Sequence, residues 1–134
     1  MKWIYGRQDW KTLERGLENC YLGLGGFSSL TMTGAVARND HSVFMACTKA
    51  PNHRINMIHR MREELDIGES KYVLSTQEFA NGTKEEGYRY LAEFSFEILP
   101  SWRYLINGVE IEKEIVMAQG SNQIAVNYHL KNRG

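Results

Sequence analysis

The chain has 134 residues, with 16 Lys plus Arg against 16 Asp plus Glu and a formal net charge of zero. A content of 43% hydrophobic and 11% aromatic residues excludes a disordered chain. The charge balance argues against a nucleic-acid binder, no apolar run is long enough for a membrane-spanning helix, and one domain of this size can bury its own core.

The N-terminal MKWIYGRQDW lacks the apolar stretch of a secretory leader, so the expected location is the cytoplasm. Residues 9–19, DWKTLERGLEN, form the one helix candidate. Asp9 can cap it and Trp10, Leu13 and Leu17 share a face, although Gly16 weakens it. Next comes YLGLGGFSSLTMTG, residues 21–34. Its glycines Gly23, Gly25 and Gly26 do not complete a dinucleotide fingerprint, because Ser28 stands at the last glycine position. The Lys-Ser/Thr pair of a phosphate loop is also missing. They read as a structural turn with close backbone packing, which only glycine permits.

Residues 28–37 and 41–49 read as two strands around Arg38-Asn39-Asp40, a hairpin. Its tip gathers Arg38, Asp40 and His41. A Ser-His-Asp triad fails there, because adjacent Asp and His on a strand point to opposite faces. What stays open is a polar cluster that holds a sugar or a neighbouring domain, or a solvated turn. Residues 54–67 fit a strand, although Met57, Ile58, Met61 and Leu65 also have helical spacing. Gly68-Glu69 turns the chain into a strand over 70–75, and Asn81-Gly82-Thr83 reads as a turn. The acid pairs Glu63-Glu64 and Glu85-Glu86 read as solvated charge.

Residues 88–99 predict a strand with Tyr88, Tyr90, Phe94 and Phe96 on one face, and Trp102 and Tyr104 share a face in the next. Asn107-Gly108 between two strand-like runs predicts a type I′ hairpin, which needs positive φ at both central residues. In 109–118 the apolar phase breaks around Lys113, as a bulge or a change of exposure would do. Residues 124–130 alternate as a half-buried strand. Cys20 and Cys47 are expected to be buried thiols. The spacing of the four histidines matches no common metal motif, so no metal and no cofactor are expected. The fold class that follows is all-β, a mostly antiparallel β-sandwich with at most one short helix near the N-terminus.

Six stretches in order resemble the N-terminal domain of glycogen debranching enzymes of the archaeal and bacterial amylo-α-1,6-glucosidase type. They are GLGGFSS (23–29), ARNDH (37–41), YVLSTQEF (72–79), EGYRYLAEF (86–94), PSWRY (100–104) and EKEIVMAQGSNQIAVNYHL (112–130). The sequence departs from the family pattern before the glycines, and at Asn39, Asp40 and Ser42 in the hairpin tip, where Arg38 and His41 are kept. The resemblance implies a single, shortened supersandwich-like domain over 1–134. The parent would be a glycoside hydrolase whose catalytic residues lie in a downstream (α/α)-barrel absent from this chain. It also implies no catalytic residue here, the parent's catalytic domain as partner, and α-glucan contact through Arg38, His41 and Trp102. The alternative is a free-standing module that binds carbohydrate or forms homo-oligomers through exposed strand edges.

Overall fold

The computed structural model describes residues 2–4, 20–21, 27–30, 33–36, 42–49, 53–97, 99–118 and 122–132. The predicted 9–19 helix, the glycines Gly23, Gly25 and Gly26, and the Arg38–His41 hairpin tip lie outside them.

A five-stranded antiparallel sheet carries the core. Its strands are β1 (Lys2–Ile4), β10 (Leu91–Phe96), β11 (Pro100–Ile106), β12 (Val109–Met117) and β13 (Ile124–Asn132), in that spatial order. A second sheet orders β2 (Cys20–Tyr21), β3 (Phe27–Ser29), β4 (Ser42–Lys49) and β5 (His53–Ile58). Two hairpins complete the fold, β6 (Glu64–Ile67) with β7 (Ser70–Val73), and β8 (Thr76–Glu78) with β9 (Lys84–Glu86). Every strand pair among the described residues is antiparallel, so the all-β expectation holds. Among the described residues the one helical element is a 3₁₀ turn, Gly87–Tyr90.

The core follows from strand alternation. Trp102, Tyr104 and Ile106 on β11 and Ile111 and Ile115 on β12 fall at alternate positions and are all buried. Side chains two apart on a strand share a face, and here that face is one apolar sheet surface. Leu30, Val43 and Leu74 belong to the same buried cluster, so the second sheet and the hairpin region close over it. Burying such side chains contributes roughly 1.5–3 kcal/mol each.

Asn107 and Gly108 form the predicted turn, with φ of 46° and 80°, between paired β11 and β12. Gly68 also has positive φ in the two-residue link between β6 and β7, as its position in the sequence implied.

Four expectations change. The strand read over 28–37 ends at Ser29, and Thr33-Gly34 turns the chain with Gly34 at φ 80°. The 54–67 segment is two strands joined by extended residues 59–63, where the chain leaves the second sheet for the β6–β7 hairpin. Its helical spacing is a coincidence of two stretches, an exposed β5 and a half-buried β6. Tyr88 and Tyr90 sit in the 3₁₀ turn, so the four-ring ladder keeps only Phe94 and Phe96 on the strand. Finally, of the bulge and the change of exposure left open for β12, the bulge falls: its register with β13 runs unbroken from Val109↔Asn132 to Met117↔Ile124. Lys113 takes an inward position in a continuous apolar face, and that broke the pattern in the sequence.

The last strand is covered over half its length. Ile124 and Val126 are half-buried, whereas Tyr128 and Leu130 on the same face are 39% and 58% exposed. Cys47 is a buried free thiol.

Candidate functional site

Two clusters of charge flank residues 59–63, and alternation along this extended segment creates both. Met61 packs against the core and Glu63 reaches under the five-stranded sheet. Arg60 and Arg62 line an open cleft on the other side. The segment is pinned at Glu63: its carbonyl accepts from Leu74 N at 2.9 Å, and its N–H donates to Ser75 Oγ at 3.3 Å.

On the core side, Lys113 Nζ donates to Glu63 Oε1 at 2.6 Å, with side-chain exposures of 7% and 12%. Lys113 lies between Trp102 and Tyr128 in the cross-strand row Phe94, Trp102, Lys113, Tyr128. Its ammonium sits 5.3 Å from the centre of the Trp102 ring, a cation–π contact. Burial, and then the nearby Glu63 charge, push the Tyr104 hydroxyl well above the usual tyrosine range and raise that of Tyr128. Both phenols therefore stay neutral at ordinary pH. These groups support the fold and are closed to solvent at Trp102, which is 3% exposed.

On the other side, the cleft encloses about 580 Å³, within the range of small-molecule sites. Glu85 anchors it. Its carboxylate pairs with Arg60 and accepts from Arg62 Nε at 2.5 Å. Arg62 also pairs with Glu64, and Arg89 Nη2 meets Glu86 at 2.5 Å. The Arg60 guanidinium stacks 5.2 Å over Phe79. Burial, followed by repulsion from Arg62, lowers the Arg60 pKa from its ordinary value. Arg60 Nε is buried without a hydrogen-bond partner among the described residues. Tyr72 and Tyr90 meet edge to face at 5.9 Å on one wall. The walls are the 60–62 segment, the β6–β7 and β8–β9 hairpins, and the 3₁₀ turn.

The 3₁₀ turn is fixed by close backbone packing. Gly87 N–H donates to Ser75 O at 3.0 Å, and a Cβ at Gly87 would overlap the Leu74 carbonyl. Tyr88 N–H donates to Thr76 Oγ1 at 2.9 Å. At the opposite rim, Asn81-Gly82-Thr83 forms its predicted turn, with Thr83 N–H donating to Asn81 Oδ1 at 2.9 Å.

A second open cleft, about 550 Å³, lies between the two sheets and is lined mainly by apolar side chains, among them Phe44, Met57 and Ile124. Its polar lining is confined to Asn122 and Gln123, and Asn122 Nδ2 is occupied with Cys47 O at 3.0 Å.

The residues singled out by sequence are Arg38, His41 and Trp102. Arg38 and His41 lie outside the described residues, and Trp102 is a core ring. Asn107 reaches the cleft wall from behind, donating to the Tyr72 hydroxyl. Sequence reasoning missed Arg60, Arg62 and Glu85. The available signal was Arg-x-Arg inside the apolar run 55–65, together with Glu85, which read as solvated but is 10% exposed at its side chain. Among the described residues no group of three or more His, Cys, Asp or Glu side chains could hold a metal ion. No helix there is long and apolar enough to cross a membrane.

No curated protein and no solved structure matches the chain. A family described as "Glycogen debranching enzyme N terminal" matches residues 22–134, most of the chain. That span takes in the five-stranded sheet from β10 onward and both faces of the 59–63 segment. The chain therefore belongs to the glycogen debranching enzyme N-terminal family, within the glycoside hydrolases.

Proposed function

We propose that the chain is the noncatalytic N-terminal β-sandwich, one domain over residues 1–134, of a cytoplasmic glycogen-debranching α-1,6-glucosidase. It braces a separate catalytic (α/α)-barrel domain and contacts α-glucan. The family match over residues 22–134 carries this reading. The half-covered β13 supports the bracing role. Tyr128 and Leu130 continue the core face of the sheet into solvent, and apolar surface of that kind is what a neighbouring domain covers. Arg38 and His41 are the proposed glucan contacts, since charged donors at a hairpin tip bond sugar hydroxyls. Trp102 is buried and serves packing.

The test has two parts. The chain alone is assayed for glucose release from an α-1,6-branched limit dextrin, and titrated with maltooligosaccharide under tryptophan fluorescence. Absence of hydrolysis together with a saturable fluorescence change, lost in Arg38→Ala and His41→Ala, is the expected result. Hydrolysis by the chain alone would overturn the noncatalytic assignment, and no response at millimolar oligosaccharide would remove the glucan contact.

A second reading, self-association, is favoured by one observation. Among the described strands β13 is the outer strand of its sheet, with a backbone edge beside exposed Leu130. Such an edge can template pairing with a second copy. Sedimentation velocity separates the readings: a dimer that Leu130→Lys dissolves favours self-association, and a monomer favours bracing.

A further inference from the structure

We propose that the cleft between residues 60–62, the two hairpins and the 3₁₀ turn binds a hexose phosphate, with the phosphate held by Arg60 and Lys71 and the sugar ring against Tyr72 and Tyr90. The anionic half stands on the cleft alone. The sugar half rests on the α-glucan reading above.

The charge of the cleft leans positive. Five cationic side chains line it, Arg60, Arg62, Lys71, Lys84 and Arg89, against two carboxylates, Glu85 and Glu86. Two further acids partly offset this from outside, Glu64 on Arg62 and Glu78 on Lys84, the latter at 3.9 Å. Lys71 has no ion pair among the described residues, although it lines the cleft and is exposed. A cleft with an excess of cations, one of them without an ion pair among the described residues, favours ligands of negative charge.

Arg60 supplies the second observation. Its guanidinium is mostly withdrawn from water, stacked on Phe79, and its Nε–H lacks an acceptor among the described residues. Native proteins seldom leave a buried donor unpaired. A phosphate oxygen satisfies this donor, because guanidinium and phosphate match in charge and in planar donor geometry. The Glu85 carboxylate is shared by Arg60 and Arg62, and Glu64 adds a second carboxylate on Arg62, so both guanidiniums are held in place while Arg60 Nε–H stays without an acceptor among the described residues.

Size and shape argue for more than inorganic phosphate. The space of about 580 Å³ far exceeds one phosphate ion. The Tyr72–Tyr90 pair offers the apolar ring surface against which the C–H faces of a pyranose pack. Thr83 and Glu86 at the rim can bond sugar hydroxyls. A phosphate monoester on a hexose matches this combination, either as a free sugar phosphate or as an ester on a glucan chain.

The test is calorimetric titration of the whole chain with glucose 1-phosphate, glucose 6-phosphate, maltotriose 6-phosphate, inorganic phosphate and maltose. At least one phosphorylated sugar is expected to bind about tenfold or more tighter than either maltose or inorganic phosphate. Added salt should weaken it. Arg60→Gln should cost about tenfold in affinity, as expected for losing a hydrogen bond to a charged group. Lys71→Gln, at an exposed position, preserves the fold by circular dichroism and is expected to weaken binding severalfold, so the test survives if Arg60→Gln does not fold. Tighter binding of maltotriose 6-phosphate than of glucose 6-phosphate identifies the glucan ester as the ligand, and the reverse identifies the free sugar phosphate. Maltose binding as tightly as its phosphorylated counterparts overturns the anionic half. Inorganic phosphate binding as tightly as the sugar phosphates overturns the sugar half. No binding of any phosphorylated sugar, or binding unchanged in Lys71→Gln, overturns the proposal. Loss of the maltooligosaccharide fluorescence response leaves these outcomes untouched, because that response reports Arg38 and His41.

Discussion

Lys113 and Arg60 are both cations paired with a glutamate, on opposite sides of residues 59–63, yet they serve different ends. The Lys113–Glu63 pair is nearly closed to solvent and lies against the Trp102 ring. The Glu85 carboxylate divides itself between Arg60 and Arg62, in a cleft whose cations outnumber its acids. Removing one member of a buried pair strands a charge in a medium of low dielectric. A shared pair at a cleft wall leaves donors for a further anion. Alternation along five residues of extended chain is enough to place one arrangement under the sheet and the other against solvent.

The sharpest break in that comparison is Glu63→Ala. It leaves the Lys113 ammonium buried and unpaired, and should cost about 3–5 kcal/mol of unfolding free energy, read from urea denaturation. Restoring apolar packing with Glu63→Leu and Lys113→Met together should return most of this. On the cleft side, Glu86→Ala removes the exposed pair to Arg89 and should change stability by roughly 0–1 kcal/mol. Equal losses for the two glutamates would erase the distinction between the two sides.

Gly87→Ala comes next. The added Cβ falls on the Leu74 carbonyl, backbone that cannot swing away. Leu74 N–H also holds the Glu63 carbonyl, so any shift is passed to the divider between the two regions. Overpacking of this kind costs about 1–3 kcal/mol. Amide hydrogen exchange should show the loss at Glu63, Leu74 and residue 87 before the β11–β12 ladder.

A pH titration addresses the core side alone. The folded pKa of Tyr104 lies above its unfolded value, from burial and then from Glu63. The folded state therefore holds its proton more tightly than the unfolded chain. The stability from this group is complete below the unfolded value, about pH 10, and is lost as pH rises from there toward the folded value. Tyr104→Phe should flatten the decline above about pH 10, at a fixed cost at neutral pH for the lost hydroxyl. Tyr128 adds a shift of the same sign.

Most of the sheet was legible in the sequence because period-two alternation and the Asn107-Gly108 turn are local signals. Trp102, Tyr104 and Ile106 advertise their common face without reference to any other strand. Lys113 was illegible for the opposite reason. A lysine at an inward position is permitted only by Glu63, fifty residues away, and nothing near Lys113 announces that partner. The same holds for Glu85, whose neighbours Lys84 and Glu86 made it look solvated, while its guanidinium partners come from 60–62. The helical spacing of Met57, Ile58, Met61 and Leu65 competed with the strand reading, which the structure bears out as two strands instead of one, because the chain passes there from the second sheet to the β6–β7 hairpin. The family resemblance was readable from short stretches kept in order, several of which are turns and buried strand faces.

The smallest effect concerns the turn that ties both regions together. Gly108 has φ of 80°, a left-handed conformation that any side chain carrying a Cβ resists. Gly108→Ala therefore carries a backbone penalty of about 1 kcal/mol. Asn107, at φ 46°, does two things: it tolerates the left-handed region, and it donates to the Tyr72 hydroxyl on the cleft wall. Asn107→Gly keeps the first and deletes the second. Its effect on urea stability should stay within about 0.5 kcal/mol, the range of surface substitutions, while hydrogen exchange at the β6–β7 hairpin rises. Gly108→Ala should do the reverse, lowering the urea midpoint and leaving the hairpin as protected as before. If both variants loosen the hairpin equally, the cleft wall is held by the core and not by Asn107, and the two regions are less separable than residues 59–63 suggest.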